Sequence, residues 1–431
     1  MKKIPQGNAI PNWFYKNRNV LLILAVFILS FSLRAYSMDT KYPFGWDQVD
    51  NAWAANKIIV NHEFPLVGMV AKGNSGFFIG PAYYYFVAFF YWLTNLNPVA
   101  SHYIALFMST FTFFAIFFVT KKIFSFKIAL LACFINTVAV AGFSFDSVQW
   151  PVSFLPGISL LIFYFLYRLL KGEEKYIIFL AIMVGLAFQI HFTAIFFPII
   201  ILLCLPFLPR TKKMFTYSLV SIPLFLIWIA PNIIAQINGN SQSSHLASYI
   251  STYYHGFHLR RMTQLIRDAV IQFDAYLFFD KIKSFKIIIL PLFFLVYFWK
   301  SVSKVKLKFS YLVILWFLVP WIVFTTYRGE ISDYYFSMNR FIALLILSYL
   351  LSKLVFSKKL LVQIIVIIFL VYYSYQNLNS ILNYRDGVAF EERFENIMPY
   401  IDSGRKVEFR QGAAESYIYY YLMRKKGVIV Y

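Results

Sequence analysis

Three polar side chains at helical spacing follow the first long apolar segment of the sequence. Asp47, Asp50 and Asn51 stand at positions i, i+3 and i+4 of a helical pattern that runs to about Val60, so a helix would present them on one side. A partly desolvated carboxylate in such a place can serve as a general base. In the structural alternative, Asp47 caps the helix, and Asp50 completes a capping box from the third helical position. The pattern leaves both interpretations open.

Two later segments carry further candidates. Asp146 lies between two apolar segments, just before Pro151, and could orient the first carboxylate or share a divalent cation with it through oxygen ligands. An acid at such a point is also ordinary loop chemistry, and so sparse a ligand set leaves the metal unknown. His191 stands between Gln189 and Thr193, at the junction of two short apolar segments. A lone histidine there is more often structural, although its two companions favour a polar lining.

Basic and aromatic side chains in the same group of loops could hold a phosphate and the groups attached to it. Arginine suits phosphate because it forms two parallel hydrogen bonds. The candidate phosphate-binding cations are Lys72, Arg260, Arg328 and Arg340, and the side chains placed to line a lipid or a sugar are Tyr83, Tyr334 and Tyr335. The alternative is contact with anionic lipid headgroups, which has at least equal weight for Arg260 and its neighbour Arg261. The sequence contains no Walker loop, Rossmann fingerprint, His-Glu-x-x-His or Cys-x-x-Cys motif.

The composition indicates the environment that must position these groups. Of the 431 residues, 60% are hydrophobic and 14% are charged, which is too little polar surface for a soluble globule. The apolar segments reach the roughly 20 residues that span a bilayer. The formal charge of +21 fits the basic loops of a membrane protein better than nucleic-acid binding. Cys133 and Cys204 lie inside apolar segments, so neither a disulfide nor a thiol nucleophile is expected.

Twelve apolar segments are candidate spans. They run over about 19–37, 78–97, 103–120, 127–143, 152–170, 176–190, 192–208, 214–236, 287–299, 309–325, 341–356 and 360–378. If all of them crossed the membrane, five basic loops would lie outside and break the positive-inside rule. If the second lies in the interface instead, these loops join the N-terminus in the cytoplasm. The six basic stretches then hold half of the 40 Lys and Arg residues but only two of the 19 acids, Glu173 and Glu174.

The sequence therefore predicts an all-α polytopic membrane protein of about eleven transmembrane helices, with interfacial helices in the first outer loop. We expect a cytoplasmic N-terminal segment at 1–18, a transmembrane domain at 19–378 and a short extracytoplasmic segment at 379–431. The last segment is predicted to be a small α/β unit, with a strand at Lys406–Phe409, a helix at about 412–424 and a strand at Gly427–Tyr431. As a multi-pass protein of the plasma membrane, the chain would carry every candidate site residue on its extracytoplasmic face.

The order of these features resembles the multi-spanning glycosyltransferases that use polyprenyl-phosphate sugars. This GT-C group includes the protein O-mannosyltransferases and the aminoarabinose transferase of lipid A. The matching positions are Trp46-Asp47-Gln48 for a first-loop Asp-Glu motif, Gly80-Pro81-Ala82-Tyr83-Tyr84 for an interfacial Pro-Pro-Leu-Tyr-Tyr helix, Asp146 for a second outer acid, and Gly185 to Ala194 for the segment that leads into the sixth span. The likeness covers residues 15–235 by motif and the later spans by layout. Gln48 replaces the usual Glu, and Gly80 stands where a basic residue often precedes the proline pair.

The resemblance implies a hexosyl- or pentosyltransferase with a polyprenyl-phosphate sugar as donor. Asp47 would deprotonate an acceptor hydroxyl, which then attacks the anomeric carbon, inverts it and expels the polyprenyl phosphate. The acceptor could be a lipid, a glycan or a protein, a divalent cation is the candidate cofactor, and nucleic acid is not expected as a partner. One alternative is a transporter or flippase for a lipid-linked glycan, which would more often show internal pseudo-symmetry and charges at mid-membrane. Another is a non-catalytic membrane scaffold.

Overall fold

The computed structural model describes residues 12–71, 75–238, 243–265, 276, 307–404, 408–410 and 412–427. Some predictions fall outside these residues: the span at 287–299, the phosphate-binding role of Lys72, and most of the two strands at Lys406–Phe409 and Gly427–Tyr431. The helices are α1 (Asn12–Ala35), α2 (Met38–Lys41), α3 (Trp46–Val60), α4 (Ala82–Leu93), α5 (Ala100–Ile123), α6 (Phe126–Val138), α7 (Val140–Asp146), α8 (Leu155–Leu170), α9 (Tyr176–Phe188), α10 (Phe196–Cys204), α11 (Lys212–Ile237), α12 (Ser243–Tyr253), α13 (Leu307–Thr325), α14 (Arg340–Val355), α15 (Leu360–Leu382), α16 (Phe390–Asp402) and α17 (Ala414–Lys425).

The predicted all-α polytopic architecture is confirmed. Within the described residues, seven helices are long and apolar enough to cross a membrane, and an eighth crossing results if α6 and α7, which meet at a bend of 72°, form one span. Two further apolar helices, Tyr176–Phe188 and Phe192–Phe207, are shorter. Each of these coincides with a predicted apolar segment, while the total of eleven spans stays a prediction.

The spans differ in how deeply they are buried. The segments that contain α8 and α14 are each 78% buried, whereas α1, α11 and α15 are between 11% and 17% buried. A helix that is apolar on every side belongs either in the centre of a large protein or in lipid. Helices α8 and α14 therefore form the centre, and α1, α11 and α15 present most of their surface to the bilayer.

Buried hydrogen bonds tie the central helices together. Ser159 on α8 donates to the backbone oxygen of Met338 at 2.8 Å and accepts from the indole nitrogen of Trp316 at 2.8 Å. Small hydroxyl residues often link packed helices in membrane proteins, because an unpaired polar group is costly in lipid. The hydroxyl of Ser159 thus joins α8, α13 and the segment that precedes α14.

Helices α3 and α4 lie beside the spans and pack on each other. Their contact includes Val49 and Ala52 from α3 and Val87 and Tyr91 from α4, all of them buried. Helix α4 has 12 residues, which at about 1.5 Å per residue is only about 18 Å, well short of the roughly 30 Å hydrocarbon core. The length of α4 therefore supports the predicted interfacial position of this segment.

The end of the chain folds onto α3 and α4. Helix α17 agrees with the helix predicted at about 412–424, and α16 was not predicted. The described residues between 379 and 427 contain no strand. Glu408 and Phe409 have no regular secondary structure, and Gly427 lies in a turn. Helices α16 and α17 pack on α3 and α4. The α/β unit stays a prediction, because most of its two strands lies outside the described residues.

Candidate active site

Asp47 lies in the first turn of α3, but it does not cap the helix. The N-cap is Gly45, whose backbone nitrogen donates to the side-chain oxygen of Gln48 at 3.0 Å. Asn51, one turn later, donates from its amide to the backbone oxygen of Asp47 at 2.6 Å and is fully buried. The capping interpretation of Asp47 is thus excluded, and its carboxylate stays available for another role.

Two carboxylates lie on the same face of α3, one turn apart. Partial burial raises the pKa of Asp47, and the charge of Asp50 raises it further. Burial also raises the pKa of Asp50, while Lys57 lowers it. Burial raises the pKa of the Tyr84 phenol on α4, and the charges of Asp50 and then Asp47 add to that effect. Tyr84 and Asp50 also line the same groove.

A chain of amide hydrogen bonds joins the loop after α1 to the loop after α7. The side-chain nitrogen of Gln48 donates to the backbone oxygen of Gln149 at 2.8 Å, and the side-chain nitrogen of Gln149 donates to the hydroxyl of Tyr83 at 2.7 Å. All three side chains are buried. The start of α3, the loop after Asp146 and the start of α4 are therefore fixed to one another around Asp47.

Gln189 anchors the start of α4. Its side-chain oxygen accepts from the backbone nitrogen of Ala82 at 3.0 Å, and its side-chain nitrogen donates to the backbone oxygen of Trp228. A Cβ at Gly80 would meet the Gln189 amide at about 2 Å, closer than any side chain tolerates. The sequence-predicted candidate Gln189 thus positions α4, and the same contact explains why residue 80 is a glycine.

Asp146 is buried in an ion pair with Arg34 at the end of α1. Its Oδ2 accepts from Arg34 Nε at 3.1 Å and from Nη2 at 2.7 Å, and the two side chains are 4% and 2% exposed. Arg34 also donates to the hydroxyl of Ser30 at 3.0 Å and to the backbone oxygen of Asn136 at 3.4 Å. The carboxylate of Asp146 is therefore paired with an arginine of the first span.

Arg340 lies close to that ion pair. Its guanidinium is over the ring of Phe145 at 4.4 Å and donates to the hydroxyl of Tyr276 at 3.2 Å and to the backbone oxygen of Ala141. The hydroxyl of Tyr276 in turn donates to the side-chain oxygen of Asn136 at 3.1 Å. Arg340 is only 7% exposed, so in this conformation its donors hold the bend between α6 and α7.

His191, Tyr334 and Tyr335 form one aromatic cluster with Trp150. The His191 ring lies 5.9 Å from Tyr334 and 5.7 Å from Tyr335, and Tyr334 lies 5.0 Å from Trp150. Nδ1 of His191 is 2.7 Å from the hydroxyl of Thr193, as the pattern of polar neighbours indicated. Since Trp150 follows Gln149, this cluster continues the assembly around Asp47.

The remaining candidate cations lie at the loop that joins α13 to the aromatic cluster. Arg328 is exposed and donates to the ring of His258 at 2.9 Å. Arg261 donates to the backbone oxygens of Tyr327 and Gly329, and Arg260 is exposed. Arg328 and Arg260 therefore present charge to the surroundings, whereas Arg261 holds the loop. Among the described residues, no three His, Cys, Asp or Glu side chains come together as a group that could hold a metal ion.

Sequence reasoning missed several residues that build this region. Arg34 carried a usable signal, because a charge near the end of an apolar span is rarely without a partner. Gln149 and Trp150 directly follow a loop already singled out, yet nothing in the sequence tells which distant backbone atom an amide will meet. The tail tyrosines that contact α3, described below, gave no signal either.

Comparisons with known proteins support the resemblance predicted from the sequence. The family model described as dolichyl-phosphate-mannose-protein mannosyltransferase matches residues 79–234. None of the curated proteins matches the chain in sequence. Among solved structures, ArnT from Cupriavidus metallidurans bound to undecaprenyl phosphate is 10% identical with a TM-score of 0.58, over 95% of this chain and 85% of that one. Its apo state gives 10% identity and a TM-score of 0.59, over 94% and 84%.

A third structure extends the comparison to archaea. The apo oligosaccharyltransferase of Archaeoglobus fulgidus is 12% identical with a TM-score of 0.55, over 95% of this chain and 60% of that one. At such identities the structures establish the fold alone, and the family model matches less than half of the chain. The chain has the GT-C-like fold of multi-spanning membrane glycosyltransferases. Together these findings support a membrane glycosyltransferase as the class of this protein.

Proposed function

We propose that this protein transfers a sugar from a polyprenyl-phosphate-linked donor to a hydroxyl acceptor, with inversion at the anomeric carbon. The observation that carries the proposal is Asp47: a half-buried carboxylate that caps no helix, in an assembly that joins the loops after α1 and α7 of a GT-C-like fold. Burial and the charge of Asp50 raise the pKa of Asp47, and a carboxylate with a raised pKa is a stronger base in its ionised form. Asp47 is therefore the proposed catalytic base.

The reaction balances with this one base and a cationic site for the leaving group. The acceptor hydroxyl gives its proton to the Asp47 carboxylate, and its oxygen forms the bond to the anomeric carbon as the bond to the phosphate oxygen breaks. The polyprenyl phosphate leaves with the electron pair as an anion, so it needs positive charge more than a proton. The exposed Arg328 and Arg260 are the described residues proposed to supply that charge, alongside Lys72.

The basic loops indicate which side of the membrane carries the site. We propose that the N-terminus is cytoplasmic, that the protein is a multi-pass protein of the plasma membrane, and that Asp47 works on the extracytoplasmic face together with the segment 379–431. The buried Asp146, Gln189 and Arg340 would then act as positioning residues, and Tyr83, Tyr334, Tyr335 and His191 would line the path of the lipid or sugar.

The test uses purified protein in detergent with a panel of polyprenyl-phosphate hexoses and pentoses. Wild type is expected to release polyprenyl phosphate, and Asp47→Asn to release it at least about 100-fold more slowly, the range in which a general base contributes. Asp402→Asn, which changes an exposed aspartate at the end of α16, is the matched control and should keep the wild-type rate. Equal rates for Asp47→Asn and wild type would disprove the base assignment. Passage of an uncleaved donor across reconstituted vesicles would favour a transporter.

A further inference from the structure

An open groove lies along α3 beside the proposed base. It encloses about 450 Å³ and is lined by Asp50, Trp53, Ala54, Lys57, Glu63, Phe64, Pro65 and Tyr84. Its floor is one face of α3, because Asp50, Ala54 and Lys57 follow one another at intervals of three or four residues. Asp47 is one turn before Asp50 on that face. The end of the groove at Asp50 is therefore one helical turn from the proposed base.

The tail of the chain holds one wall of the groove in place. The Trp53 ring lies 5.2 Å from Tyr417 and 5.0 Å from Tyr420 of α17, and its nitrogen donates to the hydroxyl of Ser416 at 3.5 Å. The hydroxyl of Tyr420 donates to the side chain of Asn56 at 2.7 Å. Helix α17 therefore fixes the indole at the groove before any ligand arrives.

Backbone contacts fix the opposite wall. The Glu63 backbone nitrogen donates to the backbone oxygen of Lys57 at 3.1 Å, and the side chain of Asn61 donates to the Glu63 carboxylate at 3.1 Å. The hydroxyl of Tyr85 donates to the backbone oxygen of Pro65 at 2.8 Å. The Phe64 side chain between these points is 65% exposed, so its ring faces the surroundings without packing of its own. A largely preformed site of this kind avoids the cost of ordering on binding.

The lining combines flat aromatic rings with hydrogen-bonding charges. Trp53, Phe64 and Tyr84 offer rings on which the C–H faces of a sugar can stack, and the carboxylates of Asp50 and Glu63 accept hydrogen bonds from hydroxyl groups. A lipid tail would leave these charges without partners. A phosphate would meet two carboxylates and a single lysine, which is net repulsion. The lining therefore suits a glycan that is neutral or carries amino groups.

We propose that this groove is the acceptor site and that it binds a neutral or amino-substituted glycan, one hydroxyl of which it directs towards Asp47. The proposal rests on the proposed function for the transfer step, but the binding of the glycan can be measured without it. Asp50 is then a substrate-binding residue as well as the neighbour of the base.

Binding is tested with four tetrasaccharides: chitotetraose, its fully de-acetylated form, cellotetraose and α-mannotetraose. Saturation-transfer NMR on the full chain in nanodiscs should detect at least one of them, and Phe64→Ala should weaken that binding about fivefold or more, because stacking on the exposed ring is lost. Tyr400→Ala, which removes a 49%-exposed aromatic from α16, is the matched control and should leave the dissociation constant unchanged. Binding of none of the four, or equal binding by Phe64→Ala and wild type, would overturn the proposal. So would competition for the site by a Ser/Thr-rich peptide in place of a glycan.

A second measurement separates this proposal from the proposed function. Release of polyprenyl phosphate to water tests the base, and the KM of the bound tetrasaccharide tests the groove. We expect Asp47→Asn to slow release at least about 100-fold and to keep glycan binding, and Phe64→Ala to raise the KM of the glycan. If wild type binds the glycan but never cleaves a donor, the proposed function fails and the groove remains a glycan site. If donor release depends on Asp47 while the KM is unaffected by Phe64→Ala, only the groove assignment fails.

Discussion

Asp47 and Asp50 share one face of α3, and this proximity couples their protonation. The charge of Asp50 adds to burial in raising the pKa of Asp47 above the ordinary value of 3.8. A base works only when ionised, so the rate should fall as the pH drops through the raised pKa of Asp47. Replacing Asp50 by Asn removes the repulsion and lowers the pKa of Asp47. The acidic limb of the pH–rate profile is therefore expected to move to lower pH in Asp50→Asn.

The measurement is donor release to water as a function of pH, which avoids the glycan-binding role proposed for Asp50. Asp402→Asn, whose carboxylate pairs with Lys426 far along the chain, should leave the limb where wild type has it. A limb that stays in place in Asp50→Asn, or moves to higher pH, would show that Asp47 is not the titrating base.

Gln48 illustrates what the sequence could and could not predict about single residues. The resemblance already identified it as a departure from the usual Glu, but gave no reason for it. Its amide oxygen accepts from Gly45 while its amide nitrogen donates to the backbone oxygen of Gln149. A carboxylate can only accept. The amide at position 48 is therefore explained by the particular partner that the second loop supplies, and such a partner is visible only in three dimensions.

At the scale of elements, the ion pair of Arg34 with Asp146 fastens α1 to the end of α7. Both side chains are almost fully buried, so removal of one partner leaves an uncompensated charge, which costs about 3–5 kcal/mol. We expect Asp146→Asn and Arg34→Met each to lower the thermal unfolding temperature clearly. The double variant Arg34→Met/Asp146→Leu should recover part of that loss, because no lone charge remains buried.

Thermal unfolding of the three variants in detergent, followed by tryptophan fluorescence, checks this prediction. Lys426→Met is the matched control, since its ion pair with Asp402 lies at the surface, with side chains 41% and 61% exposed, and it should shift the midpoint little. Equal stability of wild type and Asp146→Asn would contradict the prediction, and so would a double variant less stable than both single ones.

Helix periodicity predicted the elements better where the apolar pattern was long. Helix α4 and the helix at Trp46–Val60 agree with the predicted helices, because Gly-Pro and the spacing of apolar residues marked them. Helix α16 was missed although Phe390, Phe394, Ile397 and Ile401 stand at helical spacing. In a polar tail the local pattern is ambiguous, and the packing of α16 and α17 on α3 and α4 decides the structure.

The tail also shows how a short segment gains stability from the rest of the chain. Tyr417 is fully buried and donates to the backbone oxygen of Leu96 at 3.1 Å, and Phe390 packs edge-on against Phe44 at 5.2 Å. About 50 residues bury too little core to fold alone. The dependence of the tail on the membrane domain could be predicted from its length, whereas its role in fixing Trp53 could not.

For the whole molecule, the question left by the sequence is which face of the membrane carries Asp47. The basic loops predict that the loop between α5 and α6 is cytoplasmic, and Ser125 is an exposed residue of that loop. With Cys133 and Cys204 replaced by alanine, both being buried, a cysteine introduced as Ser125→Cys should resist a membrane-impermeant thiol reagent in intact cells and react after permeabilisation. Ser403→Cys, exposed at the end of α16 in the segment predicted to be extracytoplasmic, should react in intact cells. Labelling at 125 together with protection at 403 would show that the topology is the reverse of the predicted one. Asp47 would then face the cytoplasm, and its donor and acceptor would have to be cytoplasmic.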